Sequence, residues 1–305
     1  MYIKPDYFDI ELLKSLYRKN INITDFLKNK LGINHNTPEI IEIAYELQSG
    51  SYIKKFYDNL EQSIAITKEM VLIYKKHLNS NNTLLDIGTG EMTTLSLVLS
   101  MLDVKPKVTF AFDLSWSRIY KGIPFAQKHL GDYVHKLKPF VSNMFEIPFP
   151  EKSIDVLTSN HSLEPNGKNL KKLLSELFRV TRQKLILFEP YYEENSIEGK
   201  KRMDSLGYIK GVEKTTQELG GNVVDIIKVN NVYNKLNQTY CFIIEPKKRM
   251  NIEYYPKFSV PGKNLILKNK KAYYYSAESG VSFPVIENIP ILKSDSRILT
   301  TALDF

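Results

Sequence analysis

The sequence reads as an α/β protein. A doubly wound sheet of seven strands is expected, with a helical region before it and a small β-rich appendage after it. Between residues 83 and 245, short apolar runs alternate with stretches of helical period, and such alternation indicates a parallel sheet covered on both faces. Residues 1–80 show helical spacing alone. Residues 246–305 are rich in Tyr, Lys and Pro and hold short β-like runs: NLILKN, KAYYYS and VSFPVI. Three segments follow: 1–80, 81–245 and 246–305.

In the first segment, TDFLKNKLG has Thr24 as an N-cap and Gly32 as a stop. PEIIEIAYELQ opens with Pro38 in a first turn, where a missing N–H costs nothing. From Ser51 to Leu78 a longer helix is predicted. Its apolar residues Ile53, Phe56, Tyr57, Leu60, Ile64, Met70, Val71 and Tyr74 recur at helical spacing, and NSNN at 79–82 ends it. The strands are TLLDI, KVTFAF, LKPFVS, SIDVLTSN, KLILFEP, NVVDIIKV and TYCFIIEP. Between them lie MTTLSLVLSML, DLSWSRIYKGIPFAQKHL, LKKLLSELFRVT and IEGKKRMDSLGYIKGVEKTTQELG, all helix-like. Nothing resembling a long helix separates the last two strands, which favours an antiparallel final strand.

Composition narrows the class. With 305 residues, 43% apolar and 25% charged, the chain can bury a core and is not disordered. The longest apolar run, LSLVLSML at 95–102, is far below a membrane span. MYIKPDYFDIELL has early acids and no apolar stretch, so no signal peptide is expected. The single Cys241 excludes an internal disulfide and a multi-cysteine zinc site, and a cytoplasmic location is expected. The net charge is +8, and most of it lies in 246–271. That stretch has eight basic residues (Lys247, Lys248, Arg249, Lys257, Lys263, Lys268, Lys270, Lys271) against one acid, Glu253. So local a stretch is either a solvated linker or a contact for an anionic partner such as a nucleotide, a membrane surface or another protein.

The strongest chemical signal is LLDIGTGEMTTL at 84–95. Asp86 ends a strand, and Gly88 and Gly90 lead into a helix whose free N–H groups can meet a ligand. Thr93 stands where a dinucleotide fingerprint has its last glycine, so a pyrophosphate site is disfavoured. Asp113 ends the next strand, in FDLS, and can accept hydrogen bonds from ribose hydroxyls. Asn143 and Met144 follow the third strand, and Asn160 and His161 the fourth. All are at carboxyl ends of strands, where ligands bind in this architecture.

In this order the motifs resemble the class I S-adenosylmethionine-dependent methyltransferases, over about 83–245. The resemblance implies a Rossmann-like fold and S-adenosyl-L-methionine as cofactor. Asp86, Gly88 and Gly90 would hold its methionine end, Asp113 with Leu114 its ribose, and Asn143 with Met144 its adenine, with Asn160 nearby. Met92 and Asn143 depart from the family's habit of a small residue and an acid there. AYELQSGSYI at 44–53 resembles a lid element in which Gln48, Ser51 and Tyr52 cover the cofactor; a plain helix–helix turn is the other reading. AYYYSAESGVSFPVIENIPILKSD is similar to a small zinc-ribbon-like domain that accompanies or activates some methyltransferases. Its zinc cysteines are missing here, which implies a metal-free tail. SNHSLEPNG, FEPYYE and the fused tail resemble methyltransferases encoded with bacterial surface-glycan genes.

The implied reaction is transfer to a polar small molecule, a hydroxyl of a sugar, nucleotide-sugar or glycan. A hydroxyl acceptor benefits from a base near neutral pH, and His161 is the first candidate. Glu164 or Glu189 could orient it or bind the acceptor; Asn166, Tyr191 and Tyr192 would line the acceptor site. The competing readings are a packed His161, a helix-capping Glu164 and core tyrosines. A metal at His161 and Glu164 lacks a third ligand, so none is expected. Two alternatives stay open: an RNA methyltransferase using the basic stretch, without the N/D-PP-Y/F signature, and a catalytically silent partner subunit. Nucleic acid is disfavoured, and a homodimer is left open.

Overall fold

Asparagines and glycines set the boundaries of the N-terminal helices. The computed structural model describes residues 9–34, 36–247 and 256–303. Helix α1 spans Ile10–Arg18 and α2 spans Ile23–Leu31. The cap of α2 is Asn22, not Thr24: the Asn22 side chain accepts from the Thr24 and Asp25 N–H groups, and Gly32 closes the helix at φ 66°. Helix α3 (Pro38–Leu47) is capped by Thr37. The long helix predicted from Ser51 is two, α4 (Ser51–Asp58) and α5 (Leu60–His77). Asn59 leaves the helical region at φ −132°, and its amide donates back to the Lys55 carbonyl. Apolar spacing alone could not reveal that break. Leu13, Ile23, Leu27, Ile40 and Ala44 bury one another in a small core belonging to α1–α3.

The remaining elements in chain order are β1 (Thr83–Ile87), α6 (Thr93–Met101), β2 (Val108–Asp113), α7 (Trp116–Leu130), β3 (Leu137–Ser142) and β4 (Ile154–Asn160). Then come α8 (Leu170–Val180), β5 (Thr181–Pro190), α9 (Ile197–Leu206), α10 (Val212–Glu218), β6 (Asn222–Lys228) and β7 (Thr239–Glu245). Gly207 and Gly211, both left-handed, divide the predicted 197–220 helix into α9 and α10. Strands β1 to β5 pair in parallel, and β7 runs antiparallel to both β5 and β6. Leu173, Leu174 and Leu177 of α8 cover one face. Met70, Val71 and Tyr74 of α5, with Leu95, Val98 and Leu99 of α6, cover the other.

The seven predicted strands are present, but the sheet does not stop there. The tail adds β8 (Lys268–Asn269), β9 (Tyr273–Ser276), β10 (Val281–Ile286), β11 (Ile289–Leu292) and β12 (Ile298–Leu299), making a sheet of twelve strands among the described residues. Its order is β6-β7-β5-β4-β1-β2-β3-β11-β10-β9-β8, with β12 on β10. Strand β11 pairs in parallel with β3, Ile291 opposite Val141 and Leu292 opposite Ser142. An open β3 edge would expose unpaired backbone groups, and β11 satisfies part of it. The tail also shares the α8-side core, through Val260, Leu267, Phe283 and Leu292. Of the basic stretch, Lys248, Arg249 and Glu253 lie outside the described residues. Lys257, Lys263, Lys268, Lys270 and Lys271 are exposed.

Candidate active site

The carboxyl ends of β1 to β4 open into one cavity of about 670 Å³, within the usual range for small-molecule sites. Strand β1 leads to it through Gly88 and Gly90, at φ 62° and 56°. A side chain at Gly88 would lie 2.3 Å from Ser162 Cβ, while Gly90 has more room and is held to glycine by its φ. The Gly90 N–H donates to Asp113 Oδ2 and the Ser115 N–H to Oδ1, both at 2.9 Å. An ionised carboxylate has about four acceptor positions, so Asp113 keeps capacity on each oxygen. Burial pushes the Asp86 carboxyl up to about 7, with Thr89 acting against the shift and Asp113 adding to it. Leu114, Asn143 and Met144 line the same half of the cavity. Asn143 Oδ1 is engaged in its own turn, accepting from the Phe145 N–H at 3.0 Å.

Two residues unmarked in the sequence reading organise this half. Glu91, 1% exposed, reaches out of the glycine turn to the first turn of α4. It accepts from the Gly50 and Ile53 N–H groups, each at 2.8 Å. A carboxylate at a helix N-terminus meets both free donors and the helix dipole. Arg118, 4% exposed, lies on α7 with its guanidinium 4.2 Å from the Tyr45 ring centroid and 4.8 Å from that of Tyr52. One terminal nitrogen, Nη2, donates to Gln48 Oε1 at 3.2 Å. The other, Nη1, would stand 3.7 Å from a Cβ placed on Gly90 and lines the cavity without a hydrogen-bond partner among the described residues. Glu91 was signalled only as an acid inside the glycine motif. For Arg118 there was no signal, since its partners are about seventy residues away.

The other half of the cavity holds a polar cluster. His161 sits in the left-handed region at φ 53°, a strained conformation for a non-glycine residue and one that recurs at functional positions. Its Nδ1 faces Glu164 Oε2 at 2.9 Å and its Nε2 faces Thr239 Oγ1 at 2.7 Å. Asn237 donates to the same Glu164 oxygen at 3.0 Å. Burial disfavours charge on His161, but the hydrogen bond and charge of Glu164, joined by Glu189, outweigh it and raise its pKa. Burial likewise opposes charge on Glu164, yet His161, Asn237 and Tyr208 hold it below its ordinary value. Asn166 also lines this half and donates to the Leu163 carbonyl at 3.3 Å. Asn160 lines the boundary and donates to Thr94.

Five residues named from the sequence do not line the cavity. Gln48 and Ser51 lie in the α3–α4 turn above it; Tyr52 alone of that trio reaches it. Glu189 is buried behind the loop after β4, where Oε1 accepts from the Ser159 hydroxyl and the Ser162 and Leu163 N–H groups. Its Oε2 has no hydrogen-bond partner among the described residues, and burial pushes the Glu189 pKa up to about 7. Tyr191 is a core residue, packed on Tyr240 and Phe242 with its hydroxyl on Glu213. Tyr192 donates to Asp204 at 3.2 Å, under the Lys210 ammonium. Tyr191 and Tyr192 follow Pro190, the last residue of β5, and so lie beyond the strand end that the sequence motif marks. Among the described residues, no three His, Cys, Asp or Glu are placed to hold a metal ion, and no helix is long and apolar enough to cross a membrane.

Residues 85–188 match the family described as a methyltransferase domain. A chain of the Haloferax volcanii complex containing the Trm112 methyltransferase activator superposes with TM-score 0.51 at 14% identity, covering 64% of this chain and 94% of its own. A SAM-dependent methyltransferase from Aquifex aeolicus gives TM-score 0.48 at 19% identity, over 65% and 98%. No curated protein matches the sequence. Residues 85–188 are thus a methyltransferase domain. The cavity suits S-adenosylmethionine, the cofactor that the sequence motifs imply. The glycine turn allows close approach, Asp113 retains acceptor capacity for ribose hydroxyls, and the unpartnered Arg118 Nη1 matches a carboxylate.

Proposed function

We propose that this methyltransferase acts on a hydroxyl of a polar small molecule, a sugar, nucleotide-sugar or glycan unit, in a reducing cytoplasm. The observation that carries the reading is the His161–Glu164 pair on the wall of the cavity. Bound S-adenosylmethionine supplies an electrophilic methyl carbon. Asp86, Gly88 and Gly90 would hold its methionine end, Arg118 its carboxylate, Asp113 and Leu114 its ribose, and Asn143 and Met144 its adenine, with Asn160 beside them. Gln48, Ser51 and Tyr52 belong to the lid, of which Tyr52 makes the contact.

The chain's own chemistry is proton management and alignment. With Nδ1–H donating to Glu164, His161 presents Nε2 as an acceptor, now used by the Thr239 hydroxyl. An acceptor hydroxyl that takes the place of Thr239 there would give its proton to Nε2 as the new bond forms. Glu164 stabilises the resulting imidazolium, and Asn237 fixes Glu164. Asn166 is placed to hold a second hydroxyl.

His161→Ala should lower turnover about 10²–10⁴-fold while S-adenosylhomocysteine affinity changes little. The rate should rise with pH through the raised His161 pKa, because only the neutral ring is a base. Glu164→Gln removes the charge that raises that pKa and should move the inflection down. Single-turnover rates on folded protein across pH 5–9 test both. A near-wild-type rate for His161→Ala removes the base from the mechanism.

A further inference from the structure

The acceptor half of the cavity has an unbalanced charge inventory. Its two acids are already committed: Glu164 to His161 and Asn237, and Asp204 to Lys210 and Tyr192. Two of its cations are not. Lys55, on α4, folds its ammonium 3.9 Å from the Tyr233 ring centroid, and desolvation lowers its pKa. Arg202, on α9, donates to Asn237 Oδ1 at 3.4 Å and hydrogen-bonds with Tyr208. Neither pairs with a carboxylate among the described residues. Both line the cavity that His161 lines. The Lys55 charge opposes charge on His161, and Arg202 reaches Glu164 through Tyr208 and Asn237. Lysine and arginine without counter-ions in a concave polar site favour an anionic ligand, and guanidinium suits planar or tetrahedral oxyanions.

We propose that the acceptor carries an anionic oxygen group, phosphate or carboxylate, held by Lys55 and Arg202 beside the hydroxyl that faces His161. This rests on the hydroxyl-acceptor reading above and deepens it. A neutral sugar would leave both cations unmatched. An acidic one, such as a sugar phosphate or a uronic acid, satisfies them and places its neighbouring hydroxyl toward Nε2. The anion also offsets the downward pull of Lys55 on His161 and so strengthens it as a base.

The test needs no turnover. Protein loaded with S-adenosylhomocysteine and labelled at Arg and His is titrated by NMR with inorganic phosphate, and separately with acetate. Saturable shifts at Arg202 Nε–H and the His161 ring are expected, with the His161 titration midpoint rising as the anion binds. Lys55→Met or Arg202→Gln should weaken the response about tenfold or more. A tighter response to phosphate assigns a phosphate ester, and one to acetate a carboxylate. No shift at Arg202 and His161 up to ~50 mM anion, or an undiminished shift in both variants, overturns the proposal. The hydroxyl reading fails separately, through the His161→Ala rate.

Discussion

Arg118 and Glu189 show how differently two buried charged residues can serve one site. The Arg118 guanidinium lies against the rings of Tyr45 and Tyr52, with one nitrogen on Gln48 and one open to the cavity. If it meets the cofactor carboxylate, Arg118→Met should weaken S-adenosylhomocysteine about 10–100-fold. Methylthioadenosine, which lacks the amino-acid end, should bind as before. Calorimetry with both ligands checks this, and equal losses would reduce Arg118 to a staple of the lid. Glu189 instead pins the loop that carries His161, through three hydrogen bonds to Oε1. Glu189→Gln keeps that acceptor and should retain turnover within about threefold, whereas Glu189→Ala should cost about 2–4 kcal/mol of stability. A large rate loss in a stable Glu189→Gln protein would restore it as a catalytic candidate. At this scale the sequence was legible where chemistry and position coincide, as at Gly88 and Asp113. It was not legible for Glu189, because a strand-end acid reads the same whether it faces a cavity or a loop's back. For Arg118, an aromatic cage assembled from distant helices leaves no local pattern.

Helix α4 is tied to the sheet domain by charge as well as by the packing of Phe56 on Leu97 and Phe125. Glu91 accepts from its first N–H groups, and Glu46 of α3 accepts from the Ser115 hydroxyl and the Ser117 N–H. Lys293 of the tail pairs with Glu42 of α3 at 2.6 Å. On the opposite rim, Glu69 of α5 accepts from the N–H and amide groups of Asn230 and Asn231, fixing the loop between β6 and β7. Helices α3, α4 and α5 are therefore each fixed beside the cavity by a carboxylate that meets backbone donors. Glu91→Gln removes the charge that complements the α4 N-terminus and turns one oxygen into a donor. It should speed amide exchange across residues 50–56 by about tenfold or more and raise the dissociation rate of S-adenosylhomocysteine. Exchange mass spectrometry reads the first and stopped flow the second; unchanged protection at α4 would mean that Phe56, packed on Phe125, holds the helix unaided. Element types were visible in the periodicity. The break at Asn59 was not, since apolar spacing continues across it; at 207–211 the two glycines that turn the chain stand in the sequence, but a glycine inside a helical pattern does not by itself end a helix.

Across the whole molecule, the tail is continuous with the sheet through β11 and with the core through Phe283. The sequence could suggest short strands there but not their partner, because an edge pairing of two residues leaves no periodic trace. The same core encloses several acids, and their titration makes a global prediction. Burial raises Asp86 from an ordinary 3.8 to about 7, and Glu189 from 4.5 to about 7. Between about pH 4 and 7 the folded chain keeps protons on these groups that the unfolded chain has released. Stability must therefore fall as pH rises through that window and level off above it. His161 acts in the same direction: its raised pKa gives stability that is complete below 6.5 and lost as pH passes the folded value. Glu69 and Glu164, held below their ordinary value, act the other way, but only as pH drops below about 4.5. Ligand-free protein should thus be more stable at pH 5 than at pH 7.5, by on the order of 2–4 kcal/mol. Asp86→Asn should remove part of that difference, because an amide has no proton to lose in the window. Urea unfolding at the two pH values measures both quantities. A stability that rises with pH, or a slope unchanged in Asp86→Asn, would mean that water or a bound ion solvates the Asp86 carboxylate in the folded chain.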